Sequence, residues 1–162
     1  MPEVYVAAGS SVAPERALAC AVAELQREFP GTRYSSWYRN APADAVGPPY
    51  INLVAGFGTV LAPREVQARL RSIERRCGRV RSPAAAGARA PPPLDLDLLM
   101  YGDLVCVEPG LTLPRPELLT RAYILGPLAE LAPQVMHPTA RRSIGELWRG
   151  FDQAAHPLER LQ

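Results

Sequence analysis

The clearest structural signal in this sequence is one stretch, Leu94-Asp95-Leu96-Asp97-Leu98-Leu99-Met100-Tyr101. Its alternation of leucine and aspartate is typical of a β-strand, in which successive side chains leave opposite faces of a sheet. The leucines would enter a core, and the two aspartates would share the other face. The stretch therefore predicts a buried strand at residues 94–101 that carries two neighbouring carboxylates.

Asp95 and Asp97 would repel each other unless a cation lies between them. Because no histidine or cysteine is near them in the sequence, an ion that prefers oxygen ligands, such as Mg²⁺, is the natural occupant. Two aspartates that are solvated, or paired with arginines, would show the same spacing. Spacing alone leaves both interpretations open.

Strand and helix patterns surround this stretch. Alternating or apolar runs predict strands at residues 4–8, 34–39, 52–60 and 104–108, and apolar patterns predict helices at 14–29, 63–77, 123–132 and in the tail from 139. Pro116-Glu117 can start a further short helix. The first two helices share one stripe spacing and would pack on one face of a sheet. Because strands and helices do not alternate strictly, we expect an α+β sandwich formed by residues 1–162 as a single domain.

Residues 82–93 interrupt this pattern. They comprise five alanines, four prolines, one glycine, one serine and one arginine, Arg89. Such a segment has no periodicity and little to bury. We expect a mobile surface loop that leads into the aspartate strand.

Composition narrows the class of protein. No apolar run approaches the ~20 residues of a membrane span, and the first residues lack the basic start of a signal peptide. The three cysteines, Cys20, Cys77 and Cys106, are widely separated and odd in number. We expect buried thiols in a cytoplasmic protein rather than disulfides or a zinc site.

Arginine supplies all 18 basic residues, which excludes phosphate loops and Schiff bases that need lysine. Arg79 and Arg81 follow the glycine that ends the second predicted helix, and we expect them to bind phosphate beside a carboxylate-held metal. Arg75 and Arg76 precede that glycine and would complement the helix dipole. The net charge of +2 is too small to indicate a nucleic-acid partner.

Short segments along nearly the whole chain, taken in order, carry a resemblance to a known family. They are Ala8-Gly9-Ser10, Ser36-Trp37-Tyr38-Arg39, Pro49-Tyr50-Ile51-Asn52, Ile73-Glu74, Gly78-Arg79-Val80-Arg81, Leu94-Asp95-Leu96-Asp97-Leu98, Leu111-Thr112-Leu113-Pro114, Arg121-Ala122-Tyr123-Ile124-Leu125 and Pro127-Leu128-Ala129-Glu130. The set resembles the 6-hydroxymethyl-7,8-dihydropterin pyrophosphokinases of folate biosynthesis. The resemblance implies a ferredoxin-like three-layer α-β-α sandwich with a central, mainly antiparallel sheet.

The same resemblance implies an activity. The enzyme would transfer pyrophosphate from ATP to 6-hydroxymethyl-7,8-dihydropterin and release AMP, with Mg²⁺ required. It would act as a cytoplasmic monomer, with no nucleic-acid or membrane partner.

The resemblance also implies roles for individual residues. Asp95 and Asp97 would hold two Mg²⁺ ions that bridge the ATP phosphates. The rings of Tyr50 and Tyr123 would sandwich the pterin, and Asn52 would bind its polar edge. The expected pocket lining is the backbone of Asn40, Ala41 and Pro42. The expected catalytic arginines are Arg79 and Arg81, with Arg89 as a partial substitute for a loop arginine that the family has and this chain lacks. The expected ATP contacts are Glu74, Arg79, Leu98, Thr112 and Arg121, with Arg115 in place of a family histidine.

The sequence departs from the family pattern around this site. Pro92 stands where the family has an arginine, and Arg115 stands where it has a histidine. Asn40-Ala41-Pro42 replaces threonine-proline-proline, and Ser11 replaces an asparagine. We therefore expect substrates to bind and pyrophosphate transfer to be slower than is typical for the family. Two alternatives stay open: a weakened paralogue that binds pterin or nucleotide without efficient turnover, and a ferredoxin-like module that binds nucleic acid.

Overall fold

The centre of the fold is an antiparallel sheet. The computed structural model describes residues 1–42, 46–78 and 93–161. Its strands are β1 (Glu3–Ser10), β2 (Arg33–Tyr34), β3 (Tyr38–Asn40), β4 (Tyr50–Gly58), β5 (Asp95–Tyr101), β6 (Cys106–Glu108), β7 (Leu111–Leu113) and β8 (Glu159–Arg160). The main sheet has the order β5-β1-β4-β3-β8, with β2 also paired to β4, while β6 and β7 form a separate hairpin. Strand β5 therefore lies at an edge of the main sheet.

Four α-helices and one 3₁₀ helix complete the described fold. They are α1 (Pro14–Glu28), α2 (Pro63–Arg76), the 3₁₀ helix Pro116–Leu119, α3 (Ala122–Leu131) and α4 (Ile144–Arg149). Proline at the first turn starts α1 and α2, where its missing N–H is not needed. The Ser143 hydroxyl starts α4 by accepting the Glu146 N–H at 3.1 Å. The predicted starts at Pro14 and Pro63 are thus confirmed.

The two faces of the sheet contact different helices. One face packs on α1 and α2 through Val4, Val6, Ala8, Leu53, Ala55, Phe57, Leu96 and Leu98. The other packs on α3 and α4 through Tyr5, Val54, Leu99 and Met100. Because helices cover both faces, the expected α+β architecture with a mainly antiparallel central sheet is confirmed.

Several predicted elements differ from the observed ones. The strand expected at 34–39 is two short strands, because the Ser36 N–H donates to the Glu130 carboxylate at 2.9 Å instead of to a strand. The strand expected at 104–108 begins only at Cys106, after a turn. The tail helix begins at Ile144 rather than near Thr139. Strand β8 was not predicted, since two residues carry no periodicity.

The cysteine prediction was wrong for two of three residues. Cys20 of α1 and Cys77 at the end of α2 form a disulfide, with 5.8 Å between their Cα atoms and a sequence separation of 57. Cys106 is a free thiol, as expected. The prediction failed because distance along the chain does not report the distance between two helices that pack side by side.

No helix in the described part of the chain is both long and apolar enough to cross a membrane. The expected loop at 82–93, apart from Pro93, lies outside the described residues. Its mobility, and the single-domain organisation of the whole chain, stay predictions.

Candidate active site

One cross-strand row collects polar residues at one end of the sheet face that α3 covers. Asp95, Gly9 and Asn52 are successive partners across β5, β1 and β4, and Tyr38 of β3 continues the row. Residues paired directly across antiparallel strands point to the same face. Two interstrand spacings place the Cα atoms of Asp95 and Asn52 about 10 Å apart. The row therefore puts a carboxylate and an amide on one surface.

Asp97 lies in the adjacent row, paired with Ala7. Its side chain is 21% exposed, and its Oδ1 lies 3.5 Å from Nη2 of Arg115. Nε of Arg115 in turn lies 2.6 Å from Oε2 of Glu117. The aspartate pair thus shares its surroundings with one arginine and a third carboxylate.

The two aspartates fit a hard divalent cation. Both are carboxylates on one face of a strand, whereas the intervening Leu96 is buried on the other face. The described residues form no group of three or more histidine, cysteine, aspartate or glutamate side chains that could hold a metal. An ion held by Asp95 and Asp97 would complete its shell with phosphate oxygens and water, as Mg²⁺ does in nucleotide sites.

Glu74 and Arg71 of α2 support β5 at the point between the aspartates. Glu74 is 1% exposed, and its Oε2 accepts the Leu96 N–H at 2.8 Å. Nη1 of Arg71 donates to Oε1 of Glu74 at 2.8 Å and to the Leu96 carbonyl at 3.3 Å. The hydrogen bond to Glu74 raises the pKa of Arg71, and the charges of Asp97 and Asp95 add to the effect. Strand β5 is at the edge of the sheet, so no further strand is present on its outer side. The side chains of Glu74 and Arg71 bind the Leu96 N–H and carbonyl there instead.

This geometry bears on two expected ATP contacts. Leu98 is 5% exposed and packs in the core with α1 and α2, so its side chain is not available to a nucleotide. A contact between its backbone and the nucleotide stays a prediction. The Glu74 carboxylate binds Arg71 and the β5 backbone, a role the sequence did not indicate. Its contact with nucleotide stays a prediction.

The side chain of Asn52 is positioned by Asn40 of β3 and Gly9 of β1, which lie on the two strands beside β4. It is 7% exposed, and its Nδ2 donates to Oδ1 of Asn40. Its own Oδ1 lies over Gly9, where an added Cβ would come within 2.5 Å of it. Tyr50 pairs with Asn40 and lies two residues before Asn52, so it shares the same face. Asn40, Tyr50 and Asn52 are thus brought together as the pterin hypothesis requires.

Tyr123 stands in the first turn of α3 and is partly buried. Burial raises the pKa of its hydroxyl; the positive charge of Arg121 lowers it, and the negative charge of Asp97 raises it. Tyr123 packs against the apolar cluster on the sheet face that α3 and α4 cover, and this is the face that carries Asp95 and Asp97. The ring predicted to stack on the pterin therefore lies on the same side of the sheet as the aspartates.

The remaining expected contacts are spread over the chain. Thr112 lies in β7, Arg121 precedes the first residue of α3, and Ala41 and Pro42 follow β3. Arg79, Arg81, Arg89 and Pro92 lie outside the described residues.

The sequence of this chain is similar to those of known proteins. The sequence profile of the 7,8-dihydro-6-hydroxymethylpterin-pyrophosphokinase family matches residues 5–133. The chain belongs to this family. The 2-amino-4-hydroxy-6-hydroxymethyldihydropteridine pyrophosphokinase of Synechocystis sp. is 37% identical over 123 residues, which cover 76% of this chain and 61% of that protein. The enzyme of the same name from Pseudomonas aeruginosa is 36% identical over 142 residues, which cover 85% of each chain.

A solved structure confirms the fold. The HPPK-DHPS protein of Plasmodium falciparum superposes with a TM-score of 0.73 at 11% identity, covering 91% of this chain and 43% of that one. At this identity the likeness shows the architecture alone. The sequence matches therefore establish the family, and the sequence and structural matches together establish the fold.

The sequence does not indicate the contacts that three residues make in the site. The sequence indicates Glu117 only as part of a helix start and Gly9 only as part of a matching segment, and it indicates no role for Arg71. Arg71 and Glu74 are three residues apart on α2, a spacing that places side chains together and could have indicated the pair. The Glu117–Arg115 contact has no such signal.

A second polar cluster extends the row away from the aspartates. Glu130 of α3 accepts hydrogen bonds from the Ser36 hydroxyl at 2.9 Å and from the Tyr38 hydroxyl, and Nε of Arg160 donates to the Ser36 hydroxyl at 3.0 Å. Burial and the hydrogen bond to Glu130 raise the pKa of Tyr38 to about 12. Burial raises the pKa of Glu130, but its hydrogen bonds outweigh burial and leave that pKa below its ordinary value. The cluster ties α3, β3 and β8 together.

Proposed function

We propose that this chain transfers the terminal pyrophosphoryl group of ATP to the hydroxymethyl oxygen of 6-hydroxymethyl-7,8-dihydropterin and releases AMP. The observation that carries the proposal is the pairing of Asp95 and Asn52 with Gly9, which puts a carboxylate and an amide on one face of the sheet. We assign the carboxylate to metal binding and the amide to pterin binding.

In this proposal the pterin lies along the Asn52 end of the row. The Asn52 amide binds the polar edge of the bicycle, and Asn40 holds that amide in orientation through its hydrogen bond. The rings of Tyr50 and Tyr123 stack on the two faces of the ligand. These contacts would hold the hydroxymethyl oxygen in place and reduce the entropic cost of reaction.

The phosphates of ATP lie toward Asp95 and Asp97. Two Mg²⁺ ions held by these residues would neutralise phosphate oxygens and align the nucleotide. Arg115 and Arg121 add positive charge near Asp97 and Tyr123, and Arg79, Arg81 and Arg89 are proposed to join them. The pterin oxygen forms a bond to the β-phosphorus, the bond from that phosphorus to the α-phosphate bridging oxygen breaks, and the hydroxymethyl proton passes to solvent.

The proposal includes a cytoplasmic location and a monomeric state. Disulfides are rare in the reducing cytoplasm, so the Cys20–Cys77 disulfide is the feature that bears on the proposed location. Thiol counting on protein alkylated at the moment of cell lysis tests this point. Three alkylated thiols would mean that the disulfide does not exist in the cell, and one would show that it does.

Product identity tests the activity. The purified chain is incubated with ATP, Mg²⁺ and 6-hydroxymethyl-7,8-dihydropterin, and the nucleotides and pterins are separated by chromatography. The proposal expects AMP and a pterin diphosphate in equal amounts, with no AMP when the pterin is left out. Formation of ADP would contradict pyrophosphoryl transfer.

The second candidate is a paralogue that binds pterin or nucleotide without efficient turnover. The contact between Arg115 and Asp97 favours it, because the guanidinium already neutralises the charge of a proposed metal ligand. Fluorescence titration with the pterin separates the two. Pterin binding without AMP formation would replace the first proposal by the second.

A further inference from the structure

Arg115 occupies the place beside Asp97 that a cation would use. Its Nη2 lies 3.5 Å from Oδ1 of Asp97, at a carboxylate that is only 21% exposed. The backbone N–H of Arg115 donates to the Leu99 carbonyl of β5 at 2.9 Å. The arginine is therefore fixed at its base to the strand that carries the aspartates, while its guanidinium reaches back to them.

Glu117 holds the other side of the same guanidinium. Oε2 of Glu117 lies 2.6 Å from Nε of Arg115, in an ion pair without hydrogen-bond geometry. That oxygen is shielded from solvent and has no hydrogen-bond partner in the described part of the chain. One guanidinium thus compensates two carboxylates, and it keeps one partner when it leaves the other.

The charge balance changes when a divalent ion binds. An ion on Asp97 would stand next to the Arg115 guanidinium, and two cations at this distance repel. The polyphosphate of ATP removes the conflict, because its oxygens accept both the metal and a guanidinium fork. Arg115 can turn from Asp97 to a phosphate while its contact with Glu117 remains.

We propose that Arg115 is an exchangeable counter-ion that makes metal binding depend on the nucleotide. In the nucleotide-free protein it neutralises Asp97 and opposes Mg²⁺; with ATP present it passes to the phosphates and Asp97 takes the metal. This inference rests on the proposed function, since it assigns Asp97 to the metal. It goes beyond that function by naming what occupies the carboxylate before the substrate arrives.

Binding of Mn²⁺, followed by electron paramagnetic resonance of the free ion, tests the inference on the full chain. Titrations are run without nucleotide and with an ATP analogue that has a methylene group between the α- and β-phosphorus. The matched control is Arg142→Gln, which removes the same charge from an exposed pair with Glu146.

Opposite effects are expected from one substitution. Arg115→Gln should bind Mn²⁺ alone about tenfold more tightly than the unaltered chain, and should bind the analogue about tenfold more weakly. Arg115→Lys should keep Mn²⁺ binding near that of the unaltered chain, because it keeps the charge. Arg142→Gln should change neither value.

Two results would overturn the inference: Arg115→Gln binding Mn²⁺ alone no more tightly than the unaltered chain, or Arg142→Gln matching its effect. Failure of the proposed function looks different. In that case, Asp97→Asn would leave Mn²⁺ binding in the presence of the analogue unchanged.

Discussion

The sheet face that α1 and α2 cover is apolar along most of β4 and β5, through Ile51, Leu53, Ala55, Phe57, Leu96 and Leu98, whereas the face that α3 and α4 cover is apolar at one end only. On the second face, Tyr5 and Val54 pack in the core, while Asn52 and Asp95 lie at the other end. The same strands supply both faces, and Asn52 and Asp95 lie outside the apolar cluster that packs against α3 and α4. Residues outside that cluster are not needed for the core and can carry charge.

This comparison predicts a separation of effects. Changes on the face packed on α1 and α2, the closed face, should alter the free energy of unfolding and leave pterin binding unchanged. Changes at the polar end, which we call the open end, should do the reverse.

The disulfide gives the largest change in stability. The chain-entropy relation for a separation of 57 residues predicts a loss of about 4 kcal/mol in the free energy of unfolding when Cys20→Ser removes it. Urea denaturation measures the loss, and Cys106→Ser is the control because that cysteine is unpaired. Equal stability of the two variants would show that the bridge does not stabilise the closed face.

Adjacent residues of β5 provide the next test. Leu96→Ala leaves a cavity in the closed face and should cost about 2–5 kcal/mol. Asp97→Asn keeps the volume of the side chain and should change the stability by less than about 1 kcal/mol. Val107→Ala, at an 82% exposed position, is the control for loss of apolar volume. A large stability loss in Asp97→Asn would remove the distinction between the two faces.

Much of the secondary structure that forms the closed face could be predicted, because its apolar residues recur periodically in the sequence. Alternation in residues 94–101 indicated β5, and the apolar stripe beginning at Pro63 indicated α2, because a buried face must repeat with the period of its element. The disulfide could not be predicted, since it depends on how two helices pack.

The open end was predicted less completely. The residue types at Asp95, Asp97 and Asn52 indicated chemistry, and the family resemblance added the pterin. The contacts of Arg115 with Asp97 and Glu117 had no sequence signal, because side chains from the segment after β7 meet β5 only in the folded protein. The same holds for β8, a two-residue strand.

Gly9 tests the open end by shape alone. Gly9→Ala would place a Cβ 2.5 Å from Oδ1 of Asn52 and displace the amide, so the KM for the pterin should rise about tenfold with a small change in stability. Gly56→Ala is the matched control, because its Cβ would come within 2.8 Å of the Tyr5 ring in the core. That variant should lose stability and keep its KM. An unchanged KM in Gly9→Ala would contradict the assignment of Asn52.

His137 gives the smallest expected effect. It lies between α3 and α4, is 1% exposed, and its Nδ1 accepts the Ala140 N–H at 3.0 Å. Burial lowers its pKa below the ordinary value of 6.5, so the unfolded chain binds a proton before the folded one does. Stability should therefore fall as the pH drops below about 6.5.

The pH dependence of urea unfolding between about pH 7 and 5 measures this effect. His137→Gln should flatten the slope, and His156→Gln should not, because His156 is exposed and these are the two histidines of the chain. Equal slopes in both variants would mean that burial of His137 does not affect stability.

The central claim is that the aspartates at the open end carry pyrophosphoryl transfer. The most direct test is the rate of pterin-dependent AMP release by the unaltered chain and by Asp97→Asn, with Mg²⁺ and both substrates saturating. We predict a fall of about 10³-fold or more in Asp97→Asn, with an unchanged unfolding midpoint. Equal rates in the two proteins would contradict the account.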